Sequence, residues 1–426
     1  MLNNIKSRLI LNNIFSYLFS NIKLKLIRYN KRLQNKLYLE LKDFKFFKKI
    51  RDFNEKYNCF IENIDIIKLN LEESNKILNS GLRYLADIPF KRLKELIISN
   101  NEISRIGTII PSNFNFDNLE KLCFDHNHIS DLTILTKSEF KKLKLLNLDH
   151  NNLSDIKLLS QIKMPKLEIL ILSGNNIKEI NVLSEMNFDN LKELILNRNV
   201  IENIDVFEKL KIDTLEKLDL CVNKINDIKA LEKTQLKNLI HLNLYFNKIK
   251  DINPLEKANF EKLEILNLVY NDIEDINSLN NVKFPELKEL YLEELCHHDP
   301  SPIELEISIF DNFENLEILD LNTAHLYFLE YNKDNSEKKI LRNLKKLKLG
   351  SNQIDDLSFL EALDLKELKE LDLSCNNIND IDVFQEIKFP NLEKLDISGN
   401  QIGYEDEENE IILDILKSKI KEFKYK

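Results

Sequence analysis

One pattern governs what this chain can become: Leu-x-x-Leu-x-Leu-x-x-Asn-x-Ile, which recurs in thirteen units. The first begins at Leu93, with Leu96, Ile98, Asn101 and Ile103 in register. The others begin at Leu119, Leu143, Leu167, Leu191, Leu215, Leu239, Leu263, Leu287, Leu316, Leu344, Leu368 and Leu392. Each step from Leu119 to Leu287 is 24 residues, as are the last two; the exceptions are 26 at the start and 29 and 28 around Leu316. A fixed period of this length marks stacked units that each touch only their neighbours. Stacking also lets 426 residues, 43% of them hydrophobic, grow without a single oversized core.

Each template position has a physical reason. Leu-x-Leu has the period of a strand, so two leucines point to the core and the residue between them to the open side. A strand this short is stable only when the next coil covers it, which predicts a parallel sheet. Asn101, Asn127, Asn151, Asn175, Asn199, Asn223, Asn247, Asn271, Asn352, Asn376 and Asn400 each offer donors and an acceptor. Such a ladder suits the buried bend after the strand, where water cannot reach the backbone. The continuation, often Asp-Ile as in Asn226-Asp227-Ile228, predicts a returning arm made of a short helix or 3-10 turn.

These repeats resemble the leucine-rich-repeat superfamily, in particular its intracellular type with the Asn-x-Ile-x-Asp-Ile continuation. The resemblance implies an α/β solenoid: a horseshoe with a parallel sheet on the concave face and short helices or 3-10 turns on the convex face, after a small helical N-terminal segment. Four regions follow: a basic segment at 1–60, a capping repeat at 61–92, the solenoid at 93–403 with irregular units at 287–343, and a C-terminal capping helix at 404–426. The superfamily's functions are diverse, so the fold alone assigns none.

Residues 1–60 hold 14 Lys and Arg against 4 Asp and Glu, a charge of +10, whereas the whole chain carries −10. Apolar residues recur there at helical spacing. The run Leu9 to Leu18, with Ile14, Phe15, Tyr17 and Leu18, followed by Leu24, Leu26, Ile27 and Leu33, resembles an F-box, a helical module that docks adaptors onto cullin ubiquitin ligases. The family's early Leu-Pro is absent, and Leu33 stands where it has Trp. The same residues also fit a plain cap or docking segment. Lys6 and Arg8 precede an uncharged stretch from Leu9 to Ile22, which is too short to span a bilayer and has no small-residue cleavage site. Cys59, Cys123, Cys221, Cys296 and Cys375 are odd in number and widely spaced, which suits thiols in a cytoplasmic or nuclear protein.

No phosphate-cradling loop, nucleophile elbow or His-Glu-x-x-His occurs, so no enzyme, cofactor or metal is expected. Cys296-His297-His298-Asp299 reads as a surface loop, because adjacent residues do not readily converge on one ion. Asp125/His126 and Asp149/His150 fall at equivalent places in neighbouring coils and, with His128, would make a small polar patch without a pocket.

Function is therefore sought on the open face, at the positions two, four, six and seven after each first Leu. Ile169, Ile171, Ile195, Asp219, Tyr245, Phe246, Ile265, Val269, Tyr270 and Tyr291 are the candidate partner-binding residues. Toward the C-terminus that face turns acidic, with Glu289, Glu293, Glu294, Asp320, Asp372 and Asp396, while Cys123 is expected to point to the open side. In the units at Leu287 and Leu316, Leu295 and Ala324 replace the ladder Asn, which predicts a loosened or re-aimed stack. The expectation is a monomeric scaffold for a protein partner, acting as an adaptor that also meets ubiquitin-ligase components through 1–60. Alternatives are a stand-alone regulator resembling the phosphatase regulators, or a secreted or surface adhesion protein. Neither nucleic acid nor a membrane is expected as a partner.

Overall fold

The computed structural model describes residues 50, 52, 56, 67–72, 90, 92–104, 116–133, 135–294, 303–330, 341–403 and 407–425. The expected docking residues between Ile14 and Leu33, the Cys296 to Asp299 cluster and the loop at 331–337 lie outside them. The chain forms two compact units, Met1–Asn176 and Ile177–Lys426.

The first unit carries five parallel strands: β1 (Lys68–Asn70), β2 (Glu95–Ile97), β3 (Lys121–Cys123), β4 (Leu145–Asn147) and β5 (Ile169–Ile171). The second carries β6 (Glu193–Ile195), β7 (Lys217–Asp219), β8 (His241–Asn243), β9 (Ile265–Asn267), β10 (Glu289–Tyr291), β11 (Ile303–Glu306), β12 (Ile318–Asp320), β13 (Leu326–Glu330), β14 (Lys346–Lys348), β15 (Glu370–Asp372), β16 (Lys394–Asp396) and β17 (Glu422–Lys424). All but β11 and β13 join one parallel ladder within that unit. Leucines pair with leucines across it, as in Leu218 against Leu242. In β7 the buried Leu218 lies between half-buried Lys217 and Asp219, the alternation that Leu-x-Leu predicts.

The chain bends after each strand through a residue in left-handed backbone, at Asn100, His126, His150, Gly174, Arg198, Val222, Phe246 and Tyr270 among others. Most lack the freedom of glycine there, so the coil must hold them. The following Asn does much of the holding. Asn223 Nδ2 donates to the carbonyls of Leu196, Leu220 and Cys221 at 3.1, 2.9 and 3.2 Å, and its Oδ1 accepts the Ile201 N–H at 3.0 Å. Asn127, Asn247 and Asn376 repeat this arrangement.

The returning arms are mostly 3-10 turns, such as Lys229–Lys233 and Asn253–Lys257. The recurrent Asp starts them: Asp227 and Asp251 each accept the N–H two residues on, at 2.7 and 2.8 Å. One arm is a single α-turn, α1 (Val383–Glu386). Phenylalanines three residues before the first Leu line the inner side, with Phe260 and Phe284 at 5.6 Å between ring centres.

The irregular region corrects one expectation. The strand ladder runs through the units at Leu287 and Leu316 in unbroken register, Leu290 against Leu319 and Leu319 against Leu347. Ala324 stands buried in place of the ladder Asn, while β11 and β13 pair as a second, two-stranded parallel sheet. Backbone bonds such as Leu292 N–H to the Asp320 carbonyl at 2.8 Å keep the coils together without the missing amide.

Toward the C-terminus, α2 (Glu407–Lys419) buries Ile412, Leu413 and Leu416. The chain then adds β17 against β16, a strand the sequence pattern did not announce. No helix among the described residues is long and apolar enough to cross a membrane.

Candidate functional site

The open face is two rows of side chains per strand, at positions two and four after the first Leu. In the second unit the first row runs Glu193, Lys217, His241, Ile265 and Glu289, and the other runs Ile195, Asp219, Asn243, Asn267 and Tyr291. Ile195 and Ile265 are thus three strands apart, with polar residues between them. Ile169 and Ile171 are half-buried on β5, in the first unit. The strand face is therefore mixed rather than a continuous apolar sheet.

The aromatic residues gather instead in the bend beside the strands. Tyr245, Phe246 and Tyr270 form a triangle with ring centres 6.0, 5.5 and 6.0 Å apart. Phe246 is 49% exposed, with φ at +54°. The Asn at position four aims this bend: Asn243 Oδ1 accepts the Tyr245 N–H at 3.1 Å, and Asn267 Oδ1 that of Val269 at 3.0 Å. Asp219 accepts the Cys221 N–H at 3.0 Å and so also has a local structural duty.

Three expected face residues are covered. Val269 is 6% exposed, Cys123 5% and Asp320 3%. Positions on the open side are buried wherever larger neighbours close over them, so Val269 packs and offers little contact area. Asp320 is neutralised by Lys348 at 2.9 Å rather than facing a partner. Among the described residues the exposed thiol is Cys375. Burial pushes Cys123 up to about 11 and Cys221 up to about 12, so neither is a ready nucleophile.

The border of the aromatic cluster is acidic and tightly bonded. A hydrogen bond to Glu294, then that carboxylate's charge, raises the pKa of Tyr270. Tyr291 Oη donates to Glu289 Oε2 at 2.7 Å, and burial followed by this bond pushes its phenol well above the ordinary range. Burial and the nearby Asp320 raise Glu293. His241 is lowered chiefly by burial, then by Lys217. The surface thus offers flat aromatic contact edged by negative charge.

Models of the family described as leucine rich repeat match residues 213–273 and 342–402, and another of that description matches 391–417. The fold is a leucine-rich-repeat solenoid. Among solved structures, an internalin (inlF) from Listeria monocytogenes is similar at 24% identity and a TM-score of 0.60, over 84% of this chain and 91% of that one. A leucine-rich-repeat protein of Leptospira interrogans is similar at 24% identity and 0.53, over 79% and 73%. A plant peptide hormone receptor, RGFR1, solved in complex with RGF2, follows at 19% and 0.53, over 75% and 53%. These likenesses concern the fold. No curated protein matches.

Within this leucine-rich-repeat solenoid, one ordered feature escaped the reading of the face. The residue after the first Leu alternates in sign from Lys94 to Glu216 and from Glu264 to Lys345, after which Lys369 repeats the charge. It gives ion pairs between adjacent coils: Lys94–Glu120 at 2.7 Å, Lys144–Glu168 at 2.9 Å, Lys192–Glu216 at 3.1 Å, Lys288–Glu264 at 2.9 Å and Lys345–Glu317 at 2.7 Å. The signal was available in the aligned repeats, since only coils in sequence-adjacent order can pair this way. Ile240 interrupts the column between Glu216 and Glu264.

Proposed function

We propose that this solenoid is a protein-binding scaffold whose partner seats an apolar surface flanked by basic groups on Tyr245, Phe246 and Tyr270. The observation that carries the reading is Phe246. A bulky side chain in left-handed backbone is costly, and here it leaves half an aromatic ring in water beside two tyrosines. Aromatic anchors on a rigid support are what binding hot spots consist of. Glu293 and Glu294 beside Tyr270 favour a basic rim on the partner, and Ile195, Asp219, Ile265 and Tyr291 of the same unit would supply surrounding contact.

The adaptor reading adds that residues 1–60 dock a ubiquitin-ligase component while the face holds a client; it rests on the F-box resemblance alone. A stand-alone monomeric regulator in the cytoplasm or nucleus uses the same face without that docking. Affinity capture from native lysate, read by mass spectrometry, separates them. The intact chain, a Phe246→Ala/Tyr270→Ala variant and a chain lacking 1–60 serve as baits. We expect the face variant to lose its client while remaining folded, at a stability cost of about 1–2 kcal/mol, because Phe246 stands half in water and Tyr270 is only partly covered. A client kept by that variant would refute the site. Cullin-ligase components lost only on truncation would support the adaptor, and their absence from every bait would support the stand-alone regulator.

A further inference from the structure

We propose that His126, His150 and Asp149 form a surface site for a divalent transition-metal ion. The three residues come from two neighbouring coils of the first unit and offer ligand atoms that all lie within 4.8 Å of one another. Both histidines occupy the left-handed position of the bend, at φ +53° and +46°. Their amides are anchored to the next coil, His126 N–H to the Asp149 carbonyl and His150 N–H to the Ser173 carbonyl, each at 2.9 Å. The repeat therefore holds two imidazoles side by side, with ring centres 4.5 Å apart and planes at 7°. Gly174 gives the second ring its place, since a Cβ there would lie 2.9 Å from His150 Cγ and Nδ1.

The two carboxylates beside these rings differ, and the difference points to a ligand. Asp125 Oδ1 is already engaged, accepting from Ser99 Oγ at 2.6 Å and Asn147 Nδ2 at 3.0 Å. Asp149 Oδ1 is closed off from solvent and accepts no hydrogen bond, although it lies 2.8 Å from His150 Nδ1. That contact is close in distance and wrong in direction for a hydrogen bond. With bonds of about 2.0–2.2 Å, an imidazole nitrogen and a carboxylate oxygen at this separation subtend close to a right angle at one ion, as neighbouring ligands do in an octahedral or square-planar site. His126 offers the third ligand atom within the same 4.8 Å; its Nδ1 now lies 3.4 Å from Asp125 Oδ2, a contact it would give up to bind the ion. Its side chain is 48% exposed, which leaves room for that adjustment. Two imidazoles and one carboxylate, with two of the atoms at near a right angle, select nickel, cobalt or copper over magnesium and calcium, which prefer oxygen ligands.

The test is calorimetric titration of the full chain with NiCl2 at neutral pH, in a His297→Asn/His298→Asn background so that the other histidine cluster does not contribute. We expect one nickel ion per chain. His126→Asn/His150→Asn should abolish that binding, since asparagine tolerates the left-handed backbone but is a poor nickel ligand. Asp149→Asn should weaken it about tenfold or more. An unchanged circular-dichroism spectrum and melting curve for each variant without metal establishes that the fold persists. No binding by the parent, or binding of unchanged stoichiometry and affinity by the double histidine variant, would overturn the proposal.

Discussion

Asn223 shows how much one side chain does in this molecule. It bonds three carbonyls and one N–H belonging to two coils and is itself 7% exposed. In Asn223→Ala the carbonyls of Leu196, Leu220 and Cys221 keep bonds from Asn199, Asn247 and Arg198, but the buried Ile201 N–H loses its acceptor, and we expect a loss of about 1–3 kcal/mol, read as a lowered urea midpoint. Val222, beside it, is a β-branched residue at φ +54°. Left-handed backbone costs such a residue about 1–2 kcal/mol, part of which glycine forfeits through unfolded-state entropy. Val222→Gly should therefore stabilise by about 0.5–1 kcal/mol, and a lower urea midpoint would contradict the strain argument. The ladder asparagines were legible from the sequence, since a polar residue recurring at one buried register has few other uses. The strain at Val222 was not, because the template says nothing about the sign of φ.

Among the elements, α2 carries the clearest burden. One of its faces buries Ile412, Leu413 and Leu416, while Ile411 and Ile415 remain 62% and 44% exposed. Without those side chains the apolar surface they meet would stand in water. Leu416→Ala should cost about 2–4 kcal/mol at that end, and hydrogen exchange should locate the loss in β16 and β17 before the middle strands. Uniform exchange across all strands would show that the solenoid melts as one piece. The amphipathic helix was readable from the run Ile411 to Leu416. The pairing of β11 with β13 was not, because it joins segments of two irregular coils that share no template with the rest.

For the whole chain, the ion-pair column predicts the pH response. Glu120, Glu139 and Glu202 are held below their ordinary value of 4.5 by hydrogen bonds from Lys94, Lys163 and Lys178. Asp131 lies below 3.8 through its bond from Thr133. A carboxylate whose folded pKa is lowered contributes stability that is complete above its unfolded value and lost as pH falls through the folded one. Lys144, Lys288 and Lys394 are raised above 10.5 by Glu168, Glu264 and Glu422, so their contribution is complete below that value and lost as pH rises further. Between these limits three departures are expected. Glu293, raised by burial, costs stability as pH rises above its ordinary 4.5. His241, lowered by burial, removes some stability below its ordinary 6.5. Cys123 and Cys221, pushed up to about 11 and about 12, lower stability as pH rises above the ordinary thiol value of 9.0. Each exposed pair is weak and screened by salt. Urea midpoints across pH at low and high NaCl check this, and the acid limb should shrink in high salt.

The sequence by itself determined the coil period, the strand positions, the asparagine ladder and the class of solenoid. Each repeat packs only on its neighbours, so a local rule repeated many times becomes a global structure. Tertiary structure alone decided which open-side positions are open. Val269, Cys123 and Asp320 occupy face registers yet are covered, whereas Phe246 at the bend stands half in water. It also decided that the His126 and His150 rings stack and that Asp149 Oδ1 is left unbonded beside them. Exposure and side-chain direction depend on the size and placement of atoms in adjacent coils, and a pattern of residue types along one chain does not contain them.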